Sequence, residues 1–303
     1  NGSTKKAKEL IPLSIRPLLE KHFRISSDKD QESEISETIF SFACKYAAWE
    51  ECKANMIVYK DEYEEIYEDL KIKLQKIVKH KRFFKWTSVI ETENNDLKMY
   101  LRRIRNLKFL RRWNRINRGI ETSVLAHTFV VSVLALIFSS IEENLYFESV
   151  YKNKIPNFES FQYQVLLRSI FHDVPETLTG DVISPVKDKI NKLGIGLWEK
   201  VEEKFVSEFK DKTPEQLKKE IDQYELFKEL SKQEFSVASL VKDCDRIALA
   251  LECLLEEETG NILPEMANAY QDAIRNLHNS EWISIREFVL RLCQQFPNKS
   301  LRR

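Results

Sequence analysis

Apolar residues recur at helical spacing through most of this chain. In residues 35–78, Ile35, Ile39, Phe42, Ala43 and Tyr46 share one face, and the pattern resumes at Tyr63, Ile66, Tyr67, Leu70, Leu74 and Ile77. A period near 3.6 marks amphipathic helices, and Glu34, Glu37, Glu50, Glu51, Glu64, Glu65, Glu68 and Asp69 supply their solvated sides. A short helix is predicted over residues 10–23, limited by Pro12 and Pro17, with a polar link over 26–33. Leu97, Tyr100, Leu101, Ile104, Leu107 and Leu110 place another helix ahead of Trp113. Further helices are predicted over residues 124–140, capped by Thr122 or Ser123, and over 158–171, 198–209, 214–230, 236–257, 264–277 and 283–296. Residues 183–187 read as extended or turning, because Ser184 precedes a proline. No stretch alternates with period two, so the fold class is expected to be all-α.

Two of these helices are apolar on nearly every side, which marks central ones. Each carries ionisable residues: His127 in the first, Asp243 and Asp245 in the second. Burying such a group costs free energy unless it is paired or bound to a metal. The helix over 158–171 runs directly into His172-Asp173. That pair offers an imidazole nitrogen and a carboxylate oxygen to one point, the mixture a borderline divalent metal prefers. Alone, such a pair is more often a packed histidine followed by a capping aspartate. Three buried helices that each bring an ionisable group shift the balance toward a shared site. Glu176 follows three residues later, where it could hold or protonate a water, and Asp181 lies just past the turn at Gly180.

Composition narrows the function further. The 303 residues suffice for one large or two ordinary domains, and 43% apolar with 32% charged residues is a globular balance. Six Gly and eight Pro leave few turns, in keeping with long helices. Lys+Arg and Asp+Glu balance at 48 each, so there is no global electrostatic case for nucleic acid or an anionic membrane as a partner, and any basic site must be local. The longest apolar run, residues 129–138, is interrupted by Ser132 and is shorter than a membrane span. Five cysteines without CxxC spacing read as reduced thiols of a cytoplasmic protein. The basic residues 79–82 beside Phe83, Phe84 and Trp86 read as a helix end with packed aromatics. The arginines from Arg102 to Arg112 are either a solvated face or include one that reaches a phosphate.

His127, His172-Asp173 and Asp245, in that order on an all-α chain, resemble the HD-domain metal-dependent phosphohydrolase superfamily. Arg112-Trp113, then His172-Asp173-x-x-Glu176-x-x-Thr179-Gly180-Asp181, Ser184-Pro185-Val186-Lys187 and Val241-Lys242-x-x-Asp245, is similar to its 5′-deoxynucleotidase branch. The resemblance implies an HD helical bundle over residues 97–303, and one divalent metal (Co, Mn, Mg, Ni or Zn) held by His127, His172, Asp173 and Asp245. It implies Glu176 as the catalytic carboxylate, with Asp181 as a second catalytic residue beside the deoxyribose. Arg112 would bind phosphate, Trp113 would shape the sugar site, and Lys187 would contact substrate. The expected activity is hydrolysis of deoxyribonucleoside 5′-monophosphates by a homodimer that takes a small-molecule nucleotide. The alternatives are hydrolysis of a nucleoside triphosphate, a cyclic nucleotide or another phosphate ester, or nucleotide sensing without turnover.

Two positions depart from the branch. Ala126 stands where a Glu usually precedes the first histidine, and Ile183 where a proline is common; both bear on specificity. Residues 1–96 form an additional helical region. Residues 43–50 faintly echo 243–250, with Lys45 at the place of Asp245, so the region is either a degenerate HD-like copy or an unrelated extension.

Overall fold

The computed structural model describes residues 31–91, 96–155, 157–182, 184–224, 226–227, 235–261 and 263–295. They form two compact units divided between residues 99 and 100. The predicted helix over 10–23 lies outside the described residues.

In the first unit, α1 (Gln31–Asn55) and α2 (Lys60–Val78) form a hairpin. The helix already runs at Gln31, so the polar link expected to reach residue 33 ends sooner. Their apolar stripes meet where Trp49 stacks on Tyr67 with centroids 5.4 Å apart, beside the fully buried Leu74. A 3₁₀ turn (Lys81–Trp86) and the short α3 (Thr87–Glu91) follow. Phe83 is buried against Trp86, which also meets Phe42 at 4.6 Å, so these two aromatics of that basic run pack inward. The following helix, α4 (Asp96–Arg105), carries Lys98, which is fully buried over the Trp49 ring and 3.9 Å from Glu50.

The second unit is a bundle around α5 (Val124–Tyr146), α6 (Phe158–Phe171) and α11 (Val237–Glu258). Between α6 and α11 come the one-turn α7 (Glu176–Thr179), α8 (Ser184–Leu193), α9 (Leu197–Asp211) and α10 (Glu215–Gln223); α12 (Pro264–His278) and α13 (Ile283–Gln295) close the unit. Among the described residues no strand forms, and one isolated bridge pairs Arg111 with Ser123.

The three long helices start where their side chains can satisfy orphan amides. Ser123, Asn157 and Ser236 accept from Ala126, Ser160 and Ser239 respectively, each three residues on. Their apolar faces share one core. Val131 and Ala135 of α5, Val165 of α6, Leu240, Cys244 and Ile247 of α11 are all fully buried there, with Trp282 and Ile285 beneath them. Each large side chain so buried contributes about 1.5–3 kcal/mol.

Several expectations need correction. Ser184-Pro185 opens α8 instead of extending, because a proline in the first helical turn removes an amide that has no helical partner anyway. The helix predicted over 97–110 stops at Arg105 and continues as a 3₁₀ turn, Asn106–Phe109. That predicted over 214–230 ends at Gln223. The apolar run of α5 is longer than residues 129–138, since Ser and Thr within it bond back to helix carbonyls: residues 124–151 have the length and composition to cross a membrane, with half of the most apolar window buried inside the protein. Nor is α5 buried on every side. Phe129 is 70% exposed, and Val133 and Leu136 continue the same outer face.

Candidate metal centre

The first turn of α5, the end of α6 and the middle of α11 bring four ionisable side chains to one place. His127 is 1% exposed, with Nε2 2.8 Å from Asp245 Oδ1 and 4.0 Å from Asp173 Oδ2. His172 Nε2 lies 3.1 Å from Asp173 Oδ2, and the two histidine rings are 5.9 Å apart. Ligand atoms of His127, His172 and Asp245 all fall within 4.8 Å of one another. Asp243, the other acidic residue of that apolar helix, points elsewhere: it accepts from Ser280 Oγ at 2.5 Å and from Arg246.

The outer nitrogens decide what this cluster can hold. His127 Nδ1 is 3.0 Å from Glu252 Oε1, and His172 Nδ1 is 2.7 Å from the Ser169 carbonyl oxygen. Both partners can only accept, so each Nδ1 must carry the proton. In a neutral ring Nε2 is then a bare lone pair, yet both Nε2 atoms face carboxylate oxygens. Acceptors facing acceptors need a proton or a metal ion between them. His172 Nε2 and Asp173 Oδ2 are in fact buried without a hydrogen-bond partner. Two imidazole nitrogens and the Asp245 carboxylate, with Asp173 beside them and both rings oriented from behind, suit a borderline divalent ion.

The electrostatics follow from the crowding. Burial alone would lower the His172 pKa, but Asp173 beside it and Asp245 push it up to about 9. Burial would raise Asp245, but its bond to His127 and the charges of His172 and Arg112 hold it far below the usual carboxylate range. Glu176 goes the other way. Burial, then repulsion from Asp173 and Asp181, raise it well above that range, with Arg112 and Lys187 only partly offsetting them. Glu176 Oε2 is also buried without a hydrogen-bond partner. Asp181 is raised by burial, against the pull of Arg112 and with Asp173 repelling it. Gly180, at φ +69°, turns the chain from α7 toward it, a left-handed conformation that glycine adopts without strain.

The remaining sequence-predicted residues divide. Lys187 lies over the Trp198 ring at 5.2 Å and, with His172, Asp173, Glu176 and Asp245, lines a cavity of about 670 Å³. Arg112 and Trp113 do not line that cavity. They belong to the connection ahead of α5, where Arg112 Nε is 3.2 Å and Trp113 Nε1 2.8 Å from the carboxylate of Glu252. Arg112 still feels Asp245, Asp173 and Asp181. Trp113 holds a left-handed backbone, φ +59°, a strained conformation for a bulky residue that the surroundings must enforce.

Residues 111–123 have little regular structure of their own and are gripped by α11. Glu256, fully buried, takes Arg118 Nε and Ile120 N–H on Oε1 and Gly119 N–H and Asn261 Nδ2 on Oε2, at 2.7–3.0 Å. Gly119 is required by close approach, because a Cβ there would sit 2.9 Å from Thr259 Oγ1. Sequence reasoning missed Glu252 and Glu256. Their signal was the one that exposed Asp245: an acid on an apolar helix, here on the same face seven and eleven residues further along.

Residues 99–296 match the family model described as 5′-deoxynucleotidase YfbR-like. Among curated relatives, a 5′-deoxynucleotidase of Vibrio vulnificus (strain YJ016) is 26% identical over 155 residues, spanning 51% of this chain and 73% of the relative. The 5′-deoxynucleotidase YfbR of Shigella boydii serotype 18 is 26% identical over 158 residues, spanning 51% and 71%. The solved structure of an HD-domain phosphohydrolase from Listeria innocua superposes with a TM-score of 0.50 at 19% identity, over 68% of this chain and 91% of that one, a likeness of fold.

Proposed function

The chain belongs to the 5′-deoxynucleotidase YfbR-like family, and from that premise we propose that it hydrolyses deoxyribonucleoside 5′-monophosphates at a single divalent-metal site. His127, His172, Asp173 and Asp245 hold the ion, which the two committed Nδ1 protons support most directly. Bound there, the ion supplies Lewis acidity, lowering the pKa of a water and screening the charge of the phosphate. Mn, Co, Ni and Zn suit the two imidazoles better than Mg does.

The rest of the chemistry belongs to the side chains. Arg112, held among Glu252, Asp245, Asp173 and Asp181, presents a guanidinium to the phosphate oxygens, where its fork fits two at once. Glu176 Oε2, buried in the site without a hydrogen-bond partner, receives the proton of the attacking water and passes it to the departing 5′-oxygen, which requires its carboxylate to be held ionised by the cations around it, Arg112 and Lys187 among them. Lys187 balances the charge of Glu176 and Asp181, and Asp181 accepts from the sugar. Trp113, fixed through its indole N–H, walls the sugar side.

A second reading keeps the metal and changes the ester. Arg168, Lys187 and Lys242 line the cavity of about 670 Å³ beside Glu202, Glu281 and the carboxylates of the site itself, and a more highly phosphorylated nucleotide would set its outer phosphates against those three cations. Both readings are tested with Mn²⁺-loaded protein offered dAMP and dATP. Orthophosphate from dAMP supports the first, and tripolyphosphate or pyrophosphate from dATP the second. Asp173→Ala should abolish metal uptake and hydrolysis together; a variant that keeps both would overturn the site.

A further inference from the structure

We propose that Glu252 is a positioning residue that ties metal capture to substrate capture, by fixing the proton of His127 and anchoring Arg112-Trp113 with one carboxylate. The inference rests on the metal-site reading above and extends it to a residue outside the HD motifs.

The geometry is that of one acid serving two clients. Glu252 sits two helical turns beyond Asp245 on α11 and is 7% exposed. Oε1 is 3.0 Å from His127 Nδ1 and 3.2 Å from Arg112 Nε. Oε2 is 2.8 Å from Trp113 Nε1 and 3.3 Å from Arg112 Nε. Every one of these neighbours is a donor, and an ionised carboxylate is acceptor-only, with room for all of them. The same side chain therefore keeps His127 in the tautomer whose Nε2 lone pair faces Asp245 and Asp173, and sets where the Arg112 guanidinium and the Trp113 indole stand. A ligand histidine oriented from behind by a carboxylate is a common device. Here that carboxylate also carries the two residues proposed to meet phosphate and sugar.

Counting acceptors makes the idea testable. Glu252→Gln keeps the shape but leaves one oxygen and one NH₂. With the oxygen on His127, the NH₂ confronts the Trp113 donor, and Arg112 keeps only one of its two acceptors. With the oxygen on Trp113 and Arg112, the NH₂ confronts His127 Nδ1 and drives its proton to Nε2, where the metal must bind. No orientation serves both clients.

The experiment measures Mn²⁺ affinity by calorimetry on wild type and Glu252→Gln, then kcat and KM for dAMP at saturating Mn²⁺. The expected result is about a 10–100-fold loss in Mn²⁺ affinity, or an equal rise in KM at unchanged Mn²⁺ affinity. Trp113→Phe, which removes a single donor, is measured beside it and should raise KM while leaving Mn²⁺ affinity unchanged; it decides the matter if Glu252→Gln does not fold. Glu252→Gln with wild-type Mn²⁺ affinity and KM, even at a lowered melting temperature, overturns the proposal, as does Trp113→Phe with wild-type KM. Wild type that takes up no Mn²⁺ overturns the metal reading and this inference with it. Uptake by wild type beside an unaffected Glu252→Gln overturns this inference alone.

Discussion

Lowering the pH from about 8 to about 6 should weaken divalent-ion binding by about 100-fold or more. The perturbation acts on Nε2 of His172, which a metal needs as a lone pair. Because Asp173 and Asp245 push this imidazole up to about 9, the metal-free ring is protonated across the whole interval. An incoming ion must displace that proton, and each pH unit below the raised pKa costs about 1.4 kcal/mol, a factor of roughly ten. Two units give about 2.7 kcal/mol from His172 alone. His127 adds to the slope: burial would lower its pKa, but its bonds to Asp245 and Glu252 raise it despite the nearby Arg112. Asp245 and Asp173 do not contribute, since both are lowered and stay ionised throughout. Calorimetric Mn²⁺ titrations at three pH values, each in two buffers of different ionisation enthalpy, give both the slope and the protons released. One to two protons per ion are expected. A dissociation constant that stays flat over the interval, with no proton release, would refute the reasoning.

Two further outcomes follow from other carboxylates. Glu256→Ala leaves the Arg118 guanidinium and the Gly119 and Ile120 amides without their acceptor, so a loss of roughly 3–5 kcal/mol is expected. Thermal melting should show it as a drop of about 10 °C, and a change of a degree or two would contradict the clamp. In wild type, burial would raise the Glu256 pKa, but Asn261, the Gly119 and Ile120 amides and Arg118 outweigh it and hold it below its usual value. The stability it adds is therefore present above about pH 4.5 and lost as pH falls through the lowered pKa. Glu176→Gln should cut kcat for dAMP by about 10²–10⁴-fold while Mn²⁺ affinity changes little; an unchanged kcat would remove Glu176 from the proton-transfer role.

Much of this molecule can be read from its residues, and the failures share a cause. The long helices announce themselves because Val131, Ala135, Leu240 and Ile247 repeat at 3.6 and bury together. His172-Asp173 is visible because its members are adjacent, and Asp245 because an acid on an apolar helix is costly. Glu252 and Glu256 carry the same signal, but their partners are irregular segments over a hundred residues away, which no local pattern links to them. Ser169 orients His172 through a backbone carbonyl, so its side chain holds no clue. The Ser184-Pro185 error has a different origin, since the residue before a proline is disfavoured in a helix while the first turn itself welcomes proline.

The grip of Glu256 on the connection ahead of α5 has a consequence for motion. An irregular surface segment ordinarily exchanges its amide hydrogens quickly, because it opens alone. Gly119 and Ile120 instead donate to a carboxylate rooted in a buried helix, so their release requires α11 to give way as well. Their deuterium uptake should lag with that of α11, making a loop by shape behave as part of the core by rate.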